Sequence, residues 1–181
     1  MNLDFIKEID ASWSLFLDRD GVINQRKQGG YIQHCSEFRL LEGVQEAIAV
    51  FKQIFGHIFV VTNQQGIGKK LMTEEDLQHI HDYMETLLKI KFDRIYHSPF
   101  LAQENNIMRK PNRGMAIQAK KDFPAVDLSR SIMAGDSQSD ILFGKASGMK
   151  TVYISKEENT PEAHLVCASL YDFAKIISGK Q

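Results

Sequence analysis

Cysteine and proline are scarce in this chain, and no stretch of it is both long and apolar. Two cysteines, Cys35 and Cys167, stand far apart in 181 residues. They make no disulfide framework, which sets aside a disulfide-dependent secreted domain and leaves the cytoplasm as the expected location. No apolar run approaches the roughly 20 residues that a bilayer-spanning helix needs. The opening stretch, residues 1–10, carries acids and lacks the apolar core of a signal peptide. An excess of either charge is also missing. Lys+Arg 22 against Asp+Glu 23 leaves a net charge of -1, which argues against broad charge-driven binding to nucleic acid or to an anionic membrane. Only 4 prolines punctuate the sequence, and it has no repeat, low-complexity tract or linker. The expectation is one domain over 1–181, a monomer, within the roughly 100–200 residues usual for a domain. What remains, 43% hydrophobic and 25% charged residues, is the mix of a globular protein able to bury a core.

Apolar strands alternate with amphipathic helices along the chain. Trp13–Leu17 reads as a short buried strand that ends at the cluster Asp18-Arg19-Asp20-Gly21. Residues 24–40 are polar and loop-like around Gly29-Gly30. Val44, Ala47, Ile48, Phe51, Ile54 and Phe55 recur at helical spacing, with Gly56 as the stop. His57–Thr62 is a second strand. Thr73 caps a helix whose apolar face is Leu77, Ile80, Met84, Leu87 and Leu88. Phe92–His97 is a third strand, followed by an irregular stretch, 98–112, and a helix to about Phe123. Ser131–Ala134 is a fourth strand, a short helix carries Asp140, Ile141 and Ala146 up to Gly148, and Thr151–Ile154 is a fifth strand. A weak strand around Val166 and a helix from Tyr171 to Ile177 close the chain. This alternation predicts an α/β fold, a doubly wound, Rossmann-like parallel sheet with helices on both faces and no large cap domain.

In such a sheet, ligands bind beyond the carboxyl ends of the strands. The polar clusters fall at that edge: Asp18 and Asp20 after the first strand, Thr62 and Asn63 after the second, Asp136 after the fourth, and Lys110 in the loop after the third. Crowded carboxylates resist ionisation unless a cation sits among them. A donor set of oxygens, with neither His nor Cys, suits Mg²⁺ over Zn²⁺. Hydroxyl and amide donors and a lysine opposite the metal make a site for a phosphoryl group. One carboxylate can attack phosphorus and the other can move protons. Each piece also has an ordinary structural explanation. An isolated Asp-x-Asp is more often a turn or a cap, Asp136-Ser137-x-x-Asp140 can cap its helix, Lys110 can be a solvated charge, and Thr62-Asn63 can start a turn. The convergence of all four at one sheet edge outweighs those explanations.

Four segments resemble the motifs of the haloacid-dehalogenase-type (HAD) phosphatases: Phe16-Leu17-Asp18-Arg19-Asp20-Gly21-Val22-Ile23-Asn24, Val60-Val61-Thr62-Asn63-Gln64-Gln65-Gly66-Ile67-Gly68, Arg109-Lys110-Pro111-x-x-Gly114-Met115, and Gly135-Asp136-Ser137-x-x-Asp140. The resemblance runs from about Leu15 to Ile154. More narrowly the chain is similar to the heptose 1,7-bisphosphate phosphatases and the related histidinol-phosphate phosphatases. The resemblance implies that Asp18 is the nucleophile and Asp20 the general acid/base. It implies that Asp18 and Asp136 hold Mg²⁺ by carboxylates and Asp20 by its backbone oxygen. Thr62 and Asn63 would bind the phosphoryl group, and Lys110 would balance charge. Asp140 would orient Lys110 or a water on the metal, and Arg109 would contact substrate. The implied ligand is a small phosphorylated metabolite, first a heptose bisphosphate and alternatively histidinol phosphate.

One feature departs from that branch, which usually carries a zinc loop with Cys-x-His and Cys-x-Cys before the Arg-Lys. Here Asn106 and Met108 stand where the last two cysteines would be, and the stretch otherwise offers only His97. A tetrahedral cysteine-rich site cannot be built from these residues, so no structural zinc is expected and the loop is held by packing and hydrogen bonds. Arg26, Lys27 and Lys69 are candidates for substrate contact, with a solvated surface as the equal alternative. Three rival functions fit the residues less well. A polynucleotide 3′-phosphatase lacks support from a basic, aromatic-laced stripe. A signalling receiver domain would carry its acceptor Asp after the third strand, where Tyr96-His97-Ser98 stands. A phosphate-binding nucleotide loop would need a glycine that Gly66-Ile67-Gly68-Lys69-Lys70 lacks.

Overall fold

Strand β1, Ser14–Leu17, is the axis of the molecule. It pairs in parallel with β2, His57–Asn63, on one side and with β4, Ser131–Gly135, on the other. In this computed structural model, which describes residues 4–157 and 161–179, β3 (Arg94–Ser98) extends the sheet beyond β2. Beyond β4 lie β5 (Lys150–Ile154) and β6 (Leu165–Cys167). The six strands run in the order β3-β2-β1-β4-β5-β6, all parallel. The order reverses between β1 and β4, the switch point at which α/β sheets open a ligand crevice.

The period of two along each strand divides the core into two layers. Leu15, Leu17, Ile58, Val60, Ile132, Ala134 and Val152 point to one face. There they meet helices α1 (Val44–Ile54), α2 (Glu74–Leu88) and α5 (Leu170–Ile177) through Ile48, Phe51, Ile80, Met84 and Phe173. Phe16, Phe59, Val61 and Met133 point to the other face. They meet α3 (Gly114–Asp122) and α4 (Gln138–Ala146) through Met115, Ala119 and Phe143. Strands buried on both faces read as continuous apolar runs because both layers need filling.

Helix starts follow their side-chain caps. Thr73 Oγ1 accepts from Asp76 N while Asp76 Oδ2 accepts from Thr73 N, a reciprocal box that starts α2. Some boundaries differ from the sequence reading. β1 omits Trp13, whose N–H donates to Asp10 O in a turn. β3 starts at Arg94 instead of Phe92, because Phe92 N donates to the buried Glu85 carboxylate and belongs to the connection from α2. Residues 4–8 form a short 3-10 turn, and residues 1–3 of the opening stretch lie outside the described residues. Among the described residues no helix is long and apolar enough to cross a membrane.

Candidate active site

Each of the chemistry-bearing segments leaves its strand at the carboxyl edge. β1 delivers Asp18, and Asp18 N donates to Ala134 O of β4, which fixes the first loop against the fourth strand. The chain then turns sharply. Asn24 N, Ile23 N and Val22 N all donate to Arg19 O, and Gly21 N donates to Asn24 O. Gly21 adopts φ +92°, and a Cβ there would lie 1.8 Å from Asp136 Oδ2. Only glycine allows both that backbone and that approach. Gly135 is similarly constrained, since a Cβ there would lie 2.2 Å from the Asp140 Cβ.

Lys110 is the hub. Its ammonium lies 2.9 Å from Asp18 Oδ1 and 2.5 Å from Asp140 Oδ1, and it donates to Val61 O at 2.7 Å. Three partners match the three hydrogens of the ammonium. Burial alone would lower the Lys110 pKa, but the Asp140 and Asp18 carboxylates outweigh it and the net shift is upward. Asn63 secures the same residue from the main chain: its Oδ1 accepts from Lys110 N at 3.0 Å and its Nδ2 donates to Lys110 O at 3.1 Å. What Asn63 has left to offer a ligand is its second Nδ2 hydrogen and its backbone.

Asp140 divides its two oxygens. Oδ2 accepts from Ser137 N and Ser137 Oγ and completes the cap of α4. Oδ1 faces Lys110. The helix-cap explanation of this motif and the chemical one therefore both hold, on different atoms of one carboxylate.

Asp18, Asp136 and Asp140 offer ligand oxygens within 4.8 Å of one another. Burial, and then repulsion from Asp140, pushes the Asp18 pKa up to about 7 despite Lys110. Burial pushes Asp136 up to about 6, against the pull of Arg26. Both carboxylates are thus held back from ionising in spite of the cations beside them. Arg26 Nη2 reaches into the same place, 2.6 Å from Asp136 Oδ1 and 3.2 Å from the backbone oxygen of Asp20. A cationic group thus bridges the two donors that would share a metal with Asp18, and the all-oxygen set fits a hard divalent cation such as Mg²⁺.

Asp20 is held differently from Asp18. Arg19, fully buried, donates through Nη2 to both of its oxygens, at 3.0 and 2.9 Å. Asn24 Nδ2 and Gln64 Nε2 add hydrogen bonds of 2.9 and 2.8 Å. Burial would raise the Asp20 pKa, but Arg19 and these hydrogen bonds outweigh it and the shift is downward. Behind Arg19 stands His81, with Nε2 3.3 Å from Arg19 Nη1. Burial and the adjacent guanidinium push the His81 pKa down to about 3 and keep the ring neutral. Arg19 and Gln64 were missing from the sequence-based site. Both lie inside the quoted motifs, but nothing in the sequence ties position 64 to position 20 or position 19 to position 81.

Above these groups opens a cavity of about 480 Å³. Asp18, Asp20, Thr62, Asn63 and Lys110 line it, with Arg26, Lys27, Lys69 and Arg109 around them. Arg109 Nη1 donates to Phe100 O at 3.0 Å, Lys69 Nζ donates to the Tyr31 hydroxyl at 2.9 Å, and Lys27 pairs with Glu37. Of the residues in the place of the zinc loop, His97 Nε2 lies 2.7 Å from Glu74 Oε2, and Asn106 Oδ1 accepts from Met108 N. Among the described residues the one cluster of three or more metal-capable side chains is the aspartate group.

Comparison with known proteins places this geometry. The sequence model of the family described as polynucleotide kinase 3 phosphatase matches residues 15–173. A D-glycero-D-manno-heptose-1,7-bisphosphate 7-phosphatase of Chlorobaculum tepidum is 35% identical over 175 residues, covering 87% of this chain and 87% of its own. A D-glycero-alpha-D-manno-heptose-1,7-bisphosphate 7-phosphatase of Campylobacter jejuni is 38% identical, covering 80% of this chain and 83% of its own. Among solved structures, the D,D-heptose 1,7-bisphosphate phosphatase of B. bronchiseptica, complexed with magnesium and phosphate, superposes with a TM-score of 0.84 at 26% identity. It covers 93% of this chain and 99% of its own.

Proposed function

The chain belongs to the polynucleotide kinase 3 phosphatase family and, within the HAD phosphatases, to the heptose bisphosphate phosphatases, and on that premise we propose that it removes the 7-phosphate of D-glycero-D-manno-heptose 1,7-bisphosphate with Mg²⁺. The observation that carries the reading is the Lys110 ammonium seated between Asp18 and Asp140 at the floor of a cavity with a basic rim. A substrate bearing phosphate at both ends suits that plan: one group over Asp18, the other toward Lys69 and Arg109.

In this mechanism the phosphoryl group lies over Asp18, with Thr62 and Asn63 donating to its oxygens. An Asp18 oxygen bonds to phosphorus as the bond from phosphorus to the sugar oxygen breaks, and the chain carries an aspartyl-phosphate. Asp20 gives its proton to the departing sugar oxygen. Its resting state is the carboxylate held by Arg19. A dianionic phosphoryl group beside it raises its proton affinity, and departure of the alcohol lets it return to the ionised form. As a carboxylate it then takes a proton from water, whose oxygen bonds to phosphorus while the bond to Asp18 breaks. Inorganic phosphate leaves, Asp20 returns the proton from water to solvent in place of the one it drew from solvent when the phosphoryl group bound, and both carboxylates are restored. Asp18 and Asp136, with the backbone oxygen of Asp20, would hold Mg²⁺, which supplies charge neutralisation to the phosphoryl oxygens. Lys110 draws Asp18 toward its ionised form and orients it, and Asp140 holds Lys110 in place.

The reading extends to a monomer in the cytoplasm that works without a nucleic-acid or membrane partner and without structural zinc. The balanced charge and the two free cysteines support it. The test is phosphate release with Mg²⁺ from heptose 1,7-bisphosphate, histidinol phosphate and a 3′-phosphorylated oligonucleotide, with Asp18→Asn as control. Preference for the heptose supports the proposal. Preference for either other substrate keeps the chemistry and overturns the substrate. Release that survives Asp18→Asn overturns the covalent mechanism.

A further inference from the structure

Gln64 is 1% exposed and absent from the cavity lining, yet its side-chain amide touches two groups that do line it. Nε2 donates to Thr62 Oγ1 at 2.8 Å and to Asp20 Oδ2 at 2.8 Å. Both amide hydrogens are therefore spent. The orientation of the amide is fixed by its partners, since turning it over would set Oε1 against the Asp20 carboxylate.

A hydroxyl that accepts a hydrogen bond on one side directs its own proton elsewhere. Thr62 is itself buried, at 1% exposure, and among the described residues nothing accepts that proton. Thr62 lines the cavity with Asp18 and Lys110, so its free direction is toward the place where the phosphoryl oxygens would sit. The same amide tethers Asp20 through its other hydrogen. One buried group thus sets the direction of a hydroxyl from the second motif and the position of a carboxylate from the first.

We propose that Gln64 is a positioning residue that forces Thr62 to act as a hydrogen-bond donor to the transferring phosphoryl group and holds Asp20 in register with it. This inference rests on the phosphoryl-binding role proposed above for Thr62. It makes a prediction that a packing role would not. If Gln64 acts through Thr62, the two residues cannot contribute independently.

Gln64→Glu keeps the size of the side chain but offers Thr62 an acceptor, so the hydroxyl turns its proton toward position 64 and away from the ligand. We would measure kcat and KM for p-nitrophenyl phosphate, and inhibition by orthovanadate, in native protein, Gln64→Glu, Thr62→Val and the double variant, all with saturating Mg²⁺. Loss of one hydrogen bond to a charged group predicts that Thr62→Val loses about 10- to 100-fold in kcat, and Gln64→Glu at least as much, since it also sets a carboxylate oxygen against Asp20. KM stays within about threefold, orthovanadate binding weakens in step with kcat, and the double variant falls less than about threefold below Gln64→Glu. If Gln64→Glu does not fold, Gln64→Met replaces it in the same cycle, with an expected shortfall from multiplicativity of at least about threefold. Losses that multiply in the double variant overturn the proposal. A Thr62→Val variant with native kcat overturns it together with the phosphoryl role of Thr62. Asp18→Asn, measured alongside, reports separately on the covalent chemistry.

Discussion

Asp140 Oδ1 lies 2.5 Å from Lys110 Nζ, and neither side chain is more than 1% exposed. The pair is one half of an arrangement in which a single ammonium serves two carboxylates, since Asp18 Oδ1 is 2.9 Å away on the other side. The two ends of the pair are not equivalent. Lys110 brings the only positive charge that meets Asp18 and Asp140 among the described ion pairs, whereas Asp140 is one of three acids in the cluster.

That asymmetry predicts unequal effects on stability. Lys110→Met strands two buried carboxylates, and breaking a buried pair in this way costs roughly 3–5 kcal/mol. Asp140→Asn can keep one oxygen for Ser137 but then sets its NH2 against the Lys110 ammonium, which stays paired with Asp18 and Val61 O. In metal-free urea denaturation, Lys110→Met is expected to lose most of that amount while Asp140→Asn, which leaves Lys110 one carboxylate partner, loses a smaller part of it. Both variants lose turnover, Lys110→Met by roughly 10²–10³ in kcat. Equal destabilisation by the two would contradict the charge count.

The two carboxylates of the proposed mechanism separate in the same way. Asp18→Asn removes the nucleophile and is expected to leave no measurable turnover, with a native circular dichroism spectrum. Asp20→Asn leaves the nucleophile and removes proton transfer, for an expected loss on the order of 10²–10⁴ in kcat. With p-nitrophenyl phosphate, whose leaving group departs without needing a proton, the aspartyl-phosphate should then accumulate in Asp20→Asn, because the second step has no base. Acid-quenched protein carrying labelled phosphate on Asp18 is the measurement. A lack of label in Asp20→Asn, beside slow turnover, would remove Asp20 from the second step.

Asp136 connects the proposed Mg²⁺ site to pH. Burial raises its pKa to about 6 in the folded protein, above the roughly 3.9 of an exposed aspartate. The folded state therefore binds the extra proton between those values. The contribution of this group to stability is present at low pH, falls as pH rises toward about 6, and is gone above it. Asp136→Asn lacks the effect. In EDTA, the Tm of Asp136→Asn minus the native Tm should grow from pH 4.5 to about 6.5 and then level off, the range following from the two pKa values. Taking the difference cancels the opposing slope of His81, a neutral buried ring that the unfolded chain protonates. Mg²⁺ at about 100 times its dissociation constant should raise native stability by roughly 2.7 kcal/mol, and most of that gain should vanish in Asp136→Asn. A native Mg²⁺ response in the variant would exclude Asp136 as a ligand.

Much of the fold was legible because it is written locally. Continuous apolar runs such as His57–Asn63 and capped, periodic segments such as Glu74–Leu88 need no knowledge of distant residues. Strand edges were less so. Phe92 looks like strand, but its N–H is taken by the Glu85 carboxylate. The acids and Lys110 were legible as site residues because each follows a strand of a parallel sheet. Arg19 read as the unspecified residue between two acids, and Gln64 as the tail of a motif. Their roles depend on contacts with His81, Thr62 and Asp20, which only the folded chain brings to hydrogen-bond distance. Asn63 was legible as a member of the site, but its two hydrogen bonds to the main chain of Lys110 were not.

The segment between β3 and α3 yields the last prediction. Arg109 and Lys110 sit at its end, so its shape sets the rim and the floor of the cavity together. Asn112 Nδ2 donates to Asn105 Oδ1 and to Asn106 O, each at 3.0 Å. Asn106 Oδ1 accepts from Met108 N, and Gly114 N donates to Ile107 O at 2.8 Å. One carboxamide thus draws the segment into a loop around Asn106 and Met108, the two positions at which the family resemblance would place zinc-binding cysteines. Asn112→Ala removes both contacts, at roughly 1 kcal/mol for each typical hydrogen bond, and frees Arg109 from its position by Phe100. Its KM for the bisphosphate should rise more than its kcat falls. A zinc chelator added with excess Mg²⁺ should leave the native Tm and KM unchanged. A chelator that reproduced the Asn112→Ala phenotype in native protein would show that a metal, and not this amide, holds the loop.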